Sequence, residues 1–183
     1  RMIEEIMKDA AAADPELRAV SLRYFNPVGA HPSGLIGEDP VGIPNNLMPI
    51  LSRVAIGSLA GVSIYGDDYA TADGTGLRDY IHVTDRAAGH VASLERANAG
   101  YSIFNLGTGI PVSVRELIAA FERASGRAIP STLAPRRAGD VAAYYADPAK
   151  ARNELGWTAE LSIEQACADY WHWQESNPAG YRG

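Results

Sequence analysis

Ala19-Val20-Ser21-Leu22-Arg23-Tyr24-Phe25 reads as a β-strand, an apolar and aromatic run that stops abruptly at Asn26-Pro27. Upstream of it, Met2, Ile3, Ile6 and Met7 recur at helical spacing until Asp14-Pro15 breaks the pattern. Downstream, helical and strand patterns alternate, which places the chain in the α/β class. Leu47–Leu59 sets Leu47, Ile50, Leu51, Val54 and Ala55 on one helical face, and Val62–Tyr65 and Asp79–Val83 read as short strands. Thr84 stands where it can cap a helix reaching Asn98, with Ala87, Val91 and Leu94 expected to face inward. Ser102–Leu106 is a further strand. Behind it Ser113-x-x-Glu116 is a capping box, Val112 and Leu117 form its hydrophobic staple, and Gly126 ends the helix. Ile129–Leu133 reads as a strand, Asp147-Pro148 opens a helix that Gly156 ends, and Ser162-x-x-Gln165 opens the last helix. The pattern amounts to roughly five strands and six helices, with short strands and long connections.

Composition narrows the function classes. The chain has 183 residues, 46% hydrophobic and 21% charged, an ordinary globular balance. No apolar run is long enough to span a bilayer, and the start carries no signal-peptide core. The first residue is Arg1 rather than methionine, so the chain is expected to be part of a longer one. Net charge is −6, and the basic residues, 14 Arg with only Lys8 and Lys150, are scattered, which argues against general nucleic-acid or anionic-membrane binding. A single cysteine, Cys167, excludes an internal disulfide and a multi-cysteine metal site and suits a reducing cytoplasm. The histidines are far apart, so no metal site is expected.

Chemistry-bearing positions are few. Gly107-Thr108-Gly109 follows a strand and precedes a helix, as a dinucleotide fingerprint would. However, its third glycine would fall at Val112, so it reads as a tight turn. Arg78 lies where a Gly-rich loop becomes a strand, and Arg137 lies in a separate loop with Asp140 three residues on. Two guanidinium forks on separate loops can clamp a diphosphate and an Asp can accept from ribose hydroxyls, although most such Arg–Asp neighbours are solvated surface pairs. Asn26 ends a strand, where ligands collect in open α/β sheets, and is equally a turn former before Pro27. Asn46 is either a helix N-cap or a group beside an anion at a helix start. Tyr65 is either core or a platform for a base.

Taken together these residues reach a family. Arg23-Tyr-Phe-Asn-Pro-Val-Gly-Ala-His-Pro-Ser-Gly34, then Ile43-Pro-Asn-Asn-Leu-Met-Pro49, strongly resembles UDP-glucose 4-epimerases of the extended short-chain dehydrogenase/reductase class. So do Asp73-Gly-Thr-Gly-Leu-Arg-Asp-Tyr-Ile-His-Val83, Phe104-Asn-Leu-Gly-Thr-Gly109, Arg136-Arg-Ala-Gly-Asp140 and Leu155-Gly-Trp157. The resemblance runs from Arg1 to about Tyr181, in order. The family's Gly-x-x-Gly-x-x-Gly turn, catalytic Ser/Thr and Tyr-x-x-x-Lys pair have no counterpart in it.

The resemblance implies the C-terminal part of an NAD(P)-binding Rossmann-type epimerase, mainly a mixed α/β substrate-binding lobe with short strands. Residues 1–25 would end the Rossmann-type domain, and residues 26–183 would form the UDP-sugar-binding lobe with returning elements. The implied reaction interconverts UDP-glucose and UDP-galactose through a 4-keto intermediate, using tightly held NAD. No catalytic acid or base would lie here, and the isolated chain is expected to be inactive. By the same resemblance, Asn26, Asn46 and Leu47 wall the sugar–phosphate, Val62, Ser63 and Tyr65 bind uridine, Arg78 and Arg137 clamp the pyrophosphate, and Asp140 meets the ribose. Tyr144 would line the sugar pocket, where its bulk disfavours an N-acetyl group. Tyr24 and Phe25 would lie beside the nicotinamide, and the intact enzyme would be a homodimer. The alternatives are a non-catalytic nucleotide-sugar-binding module, or a related nucleotide-sugar dehydratase or decarboxylase.

Overall fold

Two small cores, joined by one strand, organise the molecule. The computed structural model describes residues 1–42 and 44–182, so Ile43, which opens the second motif, lies outside the described residues, as does Gly183. In chain order the elements are helix α1 (Met2–Ala13), strands β1 (Arg18–Tyr24) and β2 (Asn26–Val28), helix α2 (Leu47–Ala55), and strands β3 (Val62–Tyr65) and β4 (Leu77–His82). Helix α3 (Val83–Arg96), strands β5 (Gly100–Leu106) and β6 (Pro111–Ser113), helix α4 (Val114–Ser125), and strands β7 (Ser131–Ala134) and β8 (Ala143–Tyr144) follow. A π-helical turn (Ala151–Leu155), helix α5 (Ile163–Ser176) and a 3-10 turn (Gly180–Arg182) complete the chain.

The longer strands are those read from the sequence. The three very short ones, β2, β6 and β8, escaped it, because two or three residues carry no alternation. All three are added around β4: β2 and β8 pair with it in parallel and β6 antiparallel. The strand β1 pairs in parallel with β5 along its whole length, from Arg18 opposite Gly100 to Tyr24 opposite Leu106. The strand β3 pairs in parallel with β7, Tyr65 standing opposite Ala134.

The larger core gathers Met48, Leu51 and Val54 of α2, Leu117 and Phe121 of α4, and Cys167 and Tyr170 of α5 over Val62 and Ile64 of β3. The smaller core packs Phe104 and Leu106 of β5 against Ile81, Leu155 and Trp157. β4 serves both: Tyr80 packs on the first and Ile81 on the second. Strand alternation does this, since successive side chains leave opposite faces. The Ser113/Glu116 capping box forms as read, and Gly126 closes α4 with a left-handed φ of 65°.

Two readings are corrected. The N-cap of α3 is His82, not Thr84; the His82 side chain accepts the Thr84 amide hydrogen. The same helix buries Asp85, Gly89 and Ser93, and leaves Val91 and Leu94 exposed at 55% and 85%. The cause is close packing: a Cβ on Gly89 would sit 2.7 Å from Leu106. Asp85 meanwhile accepts the backbone amides of Glu160 and Leu161 at 3.1 and 2.9 Å. A polar face that docks backbone outcompetes an apolar face with nothing to meet.

Candidate functional site

A cleft of about 690 Å³ opens between the ends of β2, β3 and β4 and the start of α2. It brings together all the substrate-binding candidates except Tyr144: Asn26, Asn46, Leu47, Val62, Ser63, Tyr65, Arg78, Arg137 and Asp140. Strand periodicity decides what each offers. In β3, Val62 and Ile64 are buried while Ser63 and Tyr65 are exposed. Val62 is therefore a wall held in the core, and Ser63 and Tyr65 present their side chains. In β4, Arg78 and Tyr80 line the cleft while Asp79 and Ile81 are buried on the other side.

The polar groups are held in place. Asn26 Nδ2 donates to the Asp79 carbonyl at 3.2 Å, which leaves its Oδ1 as the atom that can accept from a ligand hydroxyl. Arg78 Nη1 donates to the carbonyls of Leu77 and Val141 at 2.8 and 2.9 Å, and its Nη2 lies 3.7 Å from Asp140 Oδ1. The guanidinium is thus anchored on one side and displays the rest of its fork. The Arg137 guanidinium rests 3.9 Å over the Tyr65 ring. Asn46 occupies the N-cap position of α2 but makes no side-chain cap. Burial pushes the Glu38 carboxyl above its ordinary range and outweighs the lowering influence of Asn46.

Tyr80 was missed in the sequence, although the alternation of Arg78-Asp79-Tyr80-Ile81 points to it. Burial pushes its phenol up to about 12, so it stays a neutral hydrogen-bonding group at any working pH. Tyr69 also lines the cleft. Tyr144 lies outside the cleft wall, paired beside Arg78 in the sheet and stacked on Phe25 at 5.0 Å. Tyr24 is likewise outside it, its hydroxyl 2.9 Å from His90 Nε2.

The glycine turn at Gly107–Gly109 is already filled. The buried Asp79 carboxylate accepts from Thr108 N, Thr108 Oγ1, Gly109 N and Ala146 N at 2.9, 2.7, 2.9 and 3.1 Å. Those amides cannot also cradle a dinucleotide phosphate. Tyr24 is exposed and Phe25 is half-buried against Tyr144, aromatic surface on which a flat ring could pack. Among the described residues no cluster of three or more His, Cys, Asp or Glu side chains could hold a metal. No described helix is long and apolar enough to cross a membrane.

Two arginine forks, amide groups and an exposed ring gathered in one cleft could meet an anion-bearing ligand with hydroxyls and a flat base. Comparison with known proteins supplies the family. The sequence profile described as GDP-mannose 4,6 dehydratase matches residues 2–170, and the chain belongs to that family. The UDP-glucose 4-epimerases of Bacillus subtilis (strain 168) and Homo sapiens are each 55% identical to it, over 99% and 98% of this chain and 54% and 52% of their own length. The chain therefore spans about half the length of the curated relatives it matches. The crystal structure of UDP-glucose 4-epimerase from Bifidobacterium longum in complex with NAD+ and UDP has a TM-score of 0.93 and 55% identity, covering 98% of this chain and 54% of that one.

Proposed function

We propose that the chain is the UDP-sugar-binding part of an NAD-dependent UDP-glucose 4-epimerase that interconverts UDP-glucose and UDP-galactose. The observation that carries this reading is the cleft, in which residues from five separate stretches of sequence converge with the chemistry a nucleotide sugar needs. Tyr65 and Ser63 receive the uracil, Asp140 accepts from the ribose, Arg78 and Arg137 neutralise the diphosphate, and Asn26 and Asn46 bond the sugar end. NAD, when bound, supplies the hydride acceptor for C4 of the sugar. The task of these residues is to hold the sugar so that either face of C4 can be presented. Fixing the nucleotide through its diphosphate while leaving the hexose few partners serves that end.

In this reading β1 and β5 extend the sheet of a Rossmann-type domain; residues 1–25 end that domain, and residues 26–183 form the lobe with returning elements, of which β5 is one. Tyr24 and Phe25 flank the nicotinamide, while the groups that hold the phosphates of NAD and the catalytic acid and base lie outside these 183 residues. Met2, Ile3 and Ile6, exposed on α1, would contribute to a homodimer. The lone, buried Cys167 suits a cytoplasmic protein.

The test is product analysis with the full-length protein. UDP-galactose incubated with it should give UDP-glucose, while the 183-residue chain with added NAD should give none. A 4-keto-6-deoxy or decarboxylated sugar from the full-length protein would instead mark a dehydratase or decarboxylase, and tight binding without any turnover a binding module.

A further inference from the structure

Arg136 and Arg137 are adjacent in sequence and have different roles. Arg136 turns away from the cleft: its Nε donates to Asp68 Oδ1 at 2.7 Å and its Nη2 to the Asp68 carbonyl at 2.6 Å. Its guanidinium also lies 4.1 Å over the Tyr69 ring, while that of Arg137 lies 3.9 Å over the Tyr65 ring. Two consecutive arginines thus sit on two rings four residues apart. The turn between the rings is tight, since a Cβ on Gly66 would lie 2.7 Å from both Arg136 Cγ and the Tyr69 ring. Both turns leave the same strand pair, where Gly66 N donates to Ala134 O at 2.8 Å.

We infer that Asp68 and Arg136 form a latch that fixes Arg137 over the cleft, so that two residues outside the cleft lining set the affinity for a diphosphate bound there. This rests on the reading of the cleft as a nucleotide-diphosphate site. A loop arginine that must be ordered on binding loses rotamer freedom, whereas one already placed does not. The Arg136 guanidinium holds the Asp68 carboxyl below its ordinary range, so the latch stays charged at neutral pH. Asp68 and Arg136 are positioning residues.

The sign of one substitution separates the latch from simple electrostatics. Asp68→Asn removes a negative charge near the anion site, which by charge alone would tighten anion binding. Loss of the latch weakens it instead. UDP and uridine are titrated calorimetrically into the full-length protein and its Asp68→Asn, Arg136→Gln and doubly substituted variants. We expect UDP to bind about fivefold more weakly to either single variant, uridine to be unchanged within about twofold, and the double variant to match the singles. UDP binding that is unchanged or tighter in Asp68→Asn overturns the inference. So does an equal loss for UDP and uridine, which would mean general distortion of the site. A parent protein that fails to bind UDP overturns the nucleotide reading itself, and the latch with it.

Discussion

The Arg137 guanidinium carbon lies over the Tyr65 ring, 3.9 Å from its centre. Tyr65 is the outward-facing end of β3, so a cation and an aromatic face are presented to the cleft as one unit. A base stacking on the ring and a phosphate meeting the guanidinium would be recognised together. Tyr65→Ala should weaken UDP binding by about tenfold, the order of one lost stack. Tyr65→Phe, which keeps the ring, should stay within about twofold. Calorimetric titration checks both, and equal losses for Ala and Phe would show that the hydroxyl rather than the ring matters.

Asp79 is the structural counterpart of its neighbour Arg78. It is fully buried, and its carboxylate ties the turn at Thr108–Gly109 and the backbone at Ala146 to β4. Asp79→Asn would direct an amide N–H at donors, leaving at least one of them unpaired. It should cost about 3 kcal/mol of stability, measurable by urea unfolding. A loss under about 1 kcal/mol would mean that the carboxylate is dispensable.

These two residues show what was legible in the sequence and what was not. In the sequence only Arg78 stands out here for anion chemistry, yet the strand sorts its neighbours as well: Arg78 and Tyr80 face the cleft and Asp79 faces inward. Alternation would have made that division. The capping box at Ser113 and the stop at Gly126 were readable because both are local. The inward face of α3 was not, because Gly89 and Asp85 are chosen by Leu106 and the backbone at Glu160, contacts that no local pattern encodes. Likewise, nothing in Arg136-Arg137 says which one turns to Asp68. Four of the motifs that carry the family resemblance place residues on the cleft, at Asn26, Asn46, Arg78 and Arg137, whereas Phe104–Gly109 and Leu155–Trp157 belong to the smaller core and to the turn that Asp79 fills.

Acid should loosen the loop that precedes β4. Burial raises the Asp73 carboxyl, but hydrogen bonds from the Ser113 hydroxyl and from Thr75 outweigh it and hold the group below its ordinary 3.8. A depressed folded value stabilises above the unfolded one and is lost as pH falls. The contribution should therefore be full at pH 5 and above, fade as pH drops through about 4, and be gone below the depressed value. Asp73→Asn should flatten this limb of the stability–pH curve measured by urea unfolding. An unchanged limb would assign acid sensitivity to other carboxylates.

In the proposed function Tyr144, which borders the cleft beside Arg78 without lining it, would bear on sugar choice. It stacks on Phe25 rather than lining the cleft, at the border where β8 meets β4. On size alone the full-length protein should turn over UDP-N-acetylglucosamine at least about tenfold more slowly than UDP-glucose. Steady-state kcat/KM for the two substrates tests this, and equal values would remove Tyr144 as a size filter.

In the proposed function this cleft binds the diphosphate of a UDP-sugar through Arg78 and Arg137. The most direct measurement is the UDP affinity of the full-length protein compared with its Arg78→Ala variant. Saturable binding is expected for the parent, weakened at least about thirtyfold in the variant, as for a lost guanidinium–phosphate pair. The same affinity in both proteins, or no binding by either, would contradict it.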